Sequence, residues 1–341
     1  MKEPNAMSFH VKYKPEDFMP ANEEEKQSQV IMRESVGFWQ DGFRRLRKNK
    51  VAMVSLFVII VVMIFSFIVP AFYPYDYKTQ IKGSENLHPM QYSEKEIERM
   101  DAGERVFPHV LGTDKMGRDY AIRVMMGSRI SLLVGLIATA IIFVIGSLIG
   151  SISAFFGGWV DLIIMRIVDI ISTIPLTLYV ILIMQVLGAG IQSIIVALGS
   201  VYWVDMARVV RGQILSLKQQ EFVLAAKTIG SSATTILFDH LIPNALGSIL
   251  VTITMLIPSA IFMEAFLGYL GIGLQPPLAS LGTMCNDASA NLRTSPHELL
   301  IPALMICVIT VFPGIAVMLA ILSLNLMGDG LRDALDPKLK K

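Results

Sequence analysis

The chain has 341 residues, of which 53% are hydrophobic and 17% charged, with a formal net charge of +1. Soluble domains carry about 25% charge and about 45–50% apolar residues, so this balance excludes disorder, a disulfide scaffold and an ordinary cytosolic enzyme, and leaves a polytopic membrane protein. Without a basic surplus there is no field for gripping nucleic acid, and Cys285 and Cys307 are too few and too far apart for a zinc cluster or disulfide framework.

Residues 1–35 read as a polar cytoplasmic extension without a signal-peptide pattern, and 36–76 as a region holding the first membrane helix. Spanning about 30 Å of hydrocarbon takes roughly 20 helical residues. The apolar runs that qualify are 51–73, 131–156, 162–187, 191–204, 245–270 and 299–327. The expected fold class is an all-α polytopic membrane protein with six transmembrane helices. Arg44, Arg45, Arg47, Lys48 and Lys50 precede the first run, whereas only Lys78 and Lys82 follow it closely, which puts the N-terminus in the cytoplasm. Six crossings return the tail, 328–341, to the same side, where Arg332, Lys338, Lys340 and Lys341 agree.

Residues 77–130 then form an extracytoplasmic insertion leading into an interfacial helix. Lys115, Arg118, Arg123 and Arg129 argue against that side, because the charge rule counts basic residues rather than net charge. The Glu- and Lys-rich segment 84–105 is expected as a solvated helix. Gly112 and Gly117 permit tight turns, and Thr113 or Asp114 is expected to cap an amphipathic helix before the second run.

The core, 131–327, opens with Gly146, Gly150, Ala154 and Gly158 at every fourth position, a small-residue stripe that lets another helix approach in lipid. Arg166 and Asp169 are three apart, as are Asp205 and Arg208, so each is expected to pair on one helix face. Trp39, Tyr202 and Trp203 suit interfacial anchoring. Pro175, Pro258, Pro302 and Pro313 lie within or beside apolar runs, which suits either helix packing or a cavity wall. Glu264 is either a pathway acid or a partly exposed helix-end carboxylate held by a hydroxyl. The five histidines show no ligand spacing, so neither a metal nor another cofactor is expected.

The cytoplasmic loop 213–244 is more than a connector. Residues from Glu221 to Lys227 favour helix, Gly230 interrupts, and Ser231 or Ser232 caps a second helix that Pro243 ends. The product is a helical hairpin with an apolar face that needs a partner, or that folds back on its own bundle.

This stretch resembles the EAA motif of ATP-binding-cassette import permeases. Ala225 and Ala226 precede Gly230 by four residues, and Pro243 lies thirteen beyond it. Leu224 stands where the name-giving glutamate would be, with Glu221 one turn earlier. The run Leu111-Gly112-Thr113-Asp114-Lys115-Met116-Gly117-Arg118-Asp119, the stretch from Glu264 to Pro277 and the run Leu331-Arg332-Asp333-Ala334-Leu335-Asp336-Pro337 resemble the C-type subunit of the oligopeptide/dipeptide (peptide/nickel) import family. That resemblance implies a type I importer permease in a bacterial or archaeal cytoplasmic membrane. It is not itself an enzyme, and nothing here reads as a phosphate-cradling P-loop. Its implied partners are a second permease subunit, two cytosolic ATPases that bind ATP and magnesium, an extracytoplasmic binding protein and lipid. Glu221, Ala225, Ala226, Lys227, Gly230, Ser231 and Pro243 would form the ATPase-coupling loop, with the two alanines allowing close approach. Gly112, Thr113, Asp114, Gly117, Arg118 and Asp119 would form an extracytoplasmic signature, and Glu264, Pro175 and Pro258 serve pathway or packing. Two other classes stay open: an ion-coupled secondary transporter, and an intramembrane aspartyl protease using Asp169 or Asp205 with Asp329.

Overall fold

A computed structural model describes Arg47 and residues 49–335, with backbone alone at 248 and 316–335. The extension 1–35, Trp39, Arg44, Arg45, Lys48 and the tail from Asp336 lie outside the described residues, as do the side chains of Asp329 and Arg332.

Helix α1, Lys50–Phe67, starts where Asn49 Oδ1 accepts the N–H groups of Val51 and Ala52. A single 3₁₀ turn follows, and the chain enters an insertion that contains α2, Glu94–Asp101. Next comes α3, Tyr120–Phe156, 37 residues or about 55 Å long. The second apolar run and the amphipathic stretch before it are therefore one helix. Its cap is Asp119, whose Oδ1 accepts from Ile122 N–H at 3.0 Å, rather than Thr113 or Asp114. Arg123, in its first turn, is buried with its guanidinium paired to Asp114.

The third run is two helices, α4 (Gly158–Ser172) and α5 (Leu176–Leu187), bent by 87°. Pro175 supplies the reason: it has no N–H, and it disfavours helical geometry at Ile174. Helix α6, Ile191–Leu217, continues past Asp205 and Arg208 without a break. Then come α7 (Glu221–Thr228), α8 (Ile242–Tyr269), α9 (Leu281–Ser289) and α10 (Pro296–Leu335). Among the described residues, five helices are long and apolar enough to cross a membrane, and the count reaches six if the bent pair is one span.

Helix α3 is the hub, packed along α6 and α8, while α10 gathers α1, α8 and α9. The small-residue stripe is the α3–α6 seam. A Cβ on Gly146 would stand 2.6 Å from Met206 Cβ, and one on Gly150 would run into the Ala207 carbonyl. The seam ends at buried Ala154, because Gly158 lies beyond the end of α3. Trp203 is buried in this packing with Val168 and Ala207, so it is no interfacial anchor. Trp159, at the start of α4, is 80% exposed.

Candidate functional site: the helical hairpin and the buried polar cluster

At one end of the bundle, three ties fix the base of a hairpin. Lys218 Nζ donates to the Phe155 carbonyl at 2.6 Å and to Ala154 at 3.3 Å, satisfying open carbonyls at the end of α3. Arg211 forks onto Asp161, with both nitrogens at 2.6 Å from the carboxylate oxygens. Ser153 Oγ donates to the same carboxylate.

Beyond these ties, α7 turns Val223 and Ala226 inward against Ile236, Leu237, Leu241, Val210 and Ile214. Its outer side leaves Phe222, Leu224, Ala225 and Ile229 exposed, together with Glu221 and Lys227. Gly230, at φ +81°, closes the helix: its own N–H reaches the Lys227 carbonyl, and Ser231 N–H reaches Ala226. This double return is the left-handed helix stop that favours glycine. The cap of the second arm is Ser232, whose Oγ accepts from Thr235 N–H at 3.1 Å, whereas Ser231 serves the first arm.

Two expectations change here. Ala226 is 5% exposed and packs within the chain, so only Ala225 faces outward as a small residue. Pro243 does not end the second arm. The arm passes through one helical turn and a π-helical stretch, Ile236–Leu241, directly into α8, with Pro243 in its first turn. In a regular helix the prolyl ring collides with the carbonyl four residues back, and the wider π turn accommodates it.

At the opposite end, the insertion is built around Gly112–Asp119. Thr113 Oγ1 donates to the Ser84 carbonyl and accepts from Leu87 N–H at 2.9 Å. Asp114 is 3% exposed and accepts from the N–H groups of Met116 and Arg118, from Arg118 Nε at 2.8 Å, and from Arg123 Nη1. Gly112 and Gly117 have positive φ, and a Cβ at either would strike the carbonyl of Leu87 or Ile81. These residues thus share one knot of hydrogen bonds and ion pairs that closes the insertion onto the start of α3.

A second cluster joins that knot. His109, with no exposed surface, sits between two carboxylates: Nδ1 is 2.8 Å from Asp119 Oδ2, and Nε2 is 3.0 Å from Glu96 Oε1. Glu96 Oε2 accepts from Ser93 N–H and Oγ, both at 2.9 Å, and the Tyr75 ring stacks on the imidazole at 4.5 Å. Burial works against the charged imidazole, yet the Asp119 and Glu96 carboxylates outweigh it and raise the His109 pKa above its ordinary value. Segment 84–105 is therefore not a freely solvated helix, because Glu96 anchors α2. Nothing in the sequence announced this cluster beyond the Ser93-x-x-Glu96 spacing of a capping box.

Within the bundle, Arg208 gathers three partners: Asp169 Oδ1 at 3.1 Å, Ser172 Oγ at 3.0 Å and Asp205 Oδ1 at 3.5 Å. Asp169 thus pairs across to α6 rather than along its own helix with Arg166. Asp169 and Asp205 both pair with the Arg208 guanidinium, and the side chain of Asp329, the other member of an aspartyl dyad, lies outside the described residues. Glu264 is fully buried between α3 and α8, where its Oε2 accepts from Ser131 Oγ at 2.7 Å. Within this chain it is neither partly exposed nor open to a passage. Pro258 lies inside α8, and Pro175 at the bend. Among the described residues no group of three or more His, Cys, Asp or Glu side chains is placed to hold a metal ion.

Residues 142–341 match the family of binding-protein-dependent transport system inner membrane components, and 37–89 match the N-terminal transmembrane domain of oligopeptide transport permease C. The chain is 43% identical to the oligopeptide transport system permease protein OppC of Bacillus subtilis, over 95% of this chain and 97% of that protein. It is 38% identical to the dipeptide transport system permease protein DppC of the same organism, over 96% and 94%. A chain of the inward-facing MetNI methionine ABC transporter superposes with a TM-score of 0.50 at 18% identity, over 59% of this chain and 96% of its own, which is a likeness of fold.

Proposed function

The chain belongs to the family of inner membrane components of binding-protein-dependent transport systems, and on that premise we propose that it is the C-type permease subunit of an ATP-driven peptide importer. It forms half of a translocation passage, with a second permease subunit as the other half. Two cytosolic ATPases bind the nucleotide and its magnesium, and an extracytoplasmic binding protein delivers cargo to the insertion side. Both termini lie in the cytoplasm of a bacterial or archaeal cell.

The observation that carries this reading is the hairpin's division of labour. Val223 and Ala226 weld it to the bundle, while Phe222, Leu224 and Ile229 present apolar surface to solvent. An anchored helix with an apolar outer face suits docking in a groove of another protein. Glu221 and Lys227 flank that face and give it register. The orientation draws support from the opposite end, where Arg118 and Arg123 are folded inside the insertion against Asp114 instead of standing free beside the bilayer. Closure of the ATPases would move the docked hairpins and rock two bundles between inward- and outward-facing arrangements.

The test is assembly. Leu224→Glu and Ile229→Asp leave the buried seam untouched but place charge on the outer face. Each should reduce ATPase co-purification and peptide uptake at least tenfold at unchanged membrane levels. Full co-purification by both variants would refute the assignment of the hairpin.

A further inference from the structure

The Arg208 cluster sits at a depth where charge needs a reason. Asp169 lies within the bent pair α4–α5, and Asp205 and Arg208 lie within α6, both candidate membrane crossings by length and composition. Yet the side chains of Asp169, Arg208 and Asp205 are 56%, 42% and 65% exposed on this subunit. Charges at such depth face a bundle interior or water, not lipid.

A second observation points to the same surface. Residues 173–175, where the chain leaves helix between α4 and α5, are all exposed. Non-helical backbone at membrane depth persists only when protein covers it or it lines a water-filled cavity. A third concerns the pattern along α4. Arg166, Asp169 and Thr173 fall on one line, while Ile163, Ile167, Ile170 and Ile174 form a separate exposed line about 100° away. The helix has a wet face and a greasy face, both outside the packing of this subunit.

Resting on the importer reading above, we propose that the Arg166–Asp169–Thr173 line and the exposed bend line a water-filled passage, and that Asp169, Asp205 and Arg208 form a transient binding station for cargo bearing both an ammonium and a carboxylate group. The Arg208 guanidinium can fork onto a carboxylate, and the two aspartates it releases can take an ammonium. Free peptide termini supply this pair of charges. Holding the cluster as an internal ion pair keeps the charges balanced between passages of cargo, and the exposed geometry leaves room for exchange.

The test uses the assembled transporter in proteoliposomes, in a Cys285→Ala, Cys307→Ser background. Thr173→Cys and Ile170→Cys are compared for reaction with a membrane-impermeant anionic thiosulfonate, and Gln219→Cys, exposed at the hairpin base and off its apolar outer face, reports reagent access. Labelling at 173 should be at least tenfold faster than at 170. A saturating tetra-alanine peptide should slow it at least threefold, whereas the same peptide acetylated and amidated should not. Rates at 170 and 173 within twofold of each other, or an inert 173 beside a reactive 219, overturn the passage. A 173-selective reaction that both peptides slow equally overturns the charge-pair station. Uptake by the unsubstituted complex is measured in parallel. Its failure would strike the importer reading, while the labelling contrast judges the passage without any cargo.

Discussion

Replacing Ala226 by arginine separates anchoring from docking in the hairpin. Ala226 is 5% exposed and packs with Val223, Ile236, Leu237 and Leu241. Inserting a long side chain there costs about 1–3 kcal/mol in overpacking. Desolvating its guanidinium without a partner adds at least as much. A net loss of about 3 kcal/mol increases the open fraction of the hairpin about 150-fold. The amides of Ile229, Gly230 and Ser231 report this directly, because they bond to the carbonyls of Ala225, Lys227 and Ala226. Hydrogen exchange of the purified full chain in detergent should accelerate at these three amides in Ala226→Arg. In Ala225→Arg, with the new side chain in solvent, exchange should stay within about twofold of the unsubstituted chain while ATPase co-purification falls, since several rotamers of an exposed arginine cost little. Equal exchange in both variants would refute the inward assignment of Ala226.

The His109 cluster makes the insertion pH-sensitive in one direction. Its raised folded pKa means a contribution complete below about pH 6.5 and lost as pH rises through the folded value, so limited proteolysis of 84–111 should quicken on the alkaline side. His109→Gln should remove that dependence, and an unchanged profile in the variant would show that other groups control it. The α3–α6 seam predicts a contrast between glycines. Gly150→Val meets the Ala207 backbone and should lower the thermal midpoint in detergent by several degrees, whereas Gly247→Ala, with no atom within 4 Å, should be neutral or slightly stabilising. Equal midpoints for the two variants would dissolve the argument.

The apolar runs were legible because the bilayer imposes a minimum length on any helix that crosses it. Helix ends were less so. The start of α3 at Tyr120 is set by the Asp119 cap, and Arg123 in its first turn is buried against Asp114, a contact that spacing along the chain does not reveal. Pro175 marked a disturbance, but nothing in its spacing foretold an angle of 87°. The hairpin's glycine corner was readable from Gly230, whereas the inward turn of Ala226 and the outward turn of Ala225 were not. Neighbouring alanines are chemically identical, and only the helix phase set by Val223 tells them apart. Trp203 shows the same limit: residue type gives the capacity to sit at an interface, and position in the bundle decides its use. The Glu96–His109–Asp119 cluster was out of reach because its members come from three separate elements.

The second arm of the hairpin runs from Ala233 through the π turns into α8 and on to Tyr269 as one unbroken rod. At about 1.5 Å per residue the rod is about 55 Å long, enough to cross the whole bilayer. A thrust delivered at its lower end is therefore felt at its far end, where Gly268 touches α9, without passing through any flexible connector. Give along the shaft is confined to the π turns and to Pro258, where one backbone bond is missing. The subunit has the mechanics of a pushrod with two soft joints.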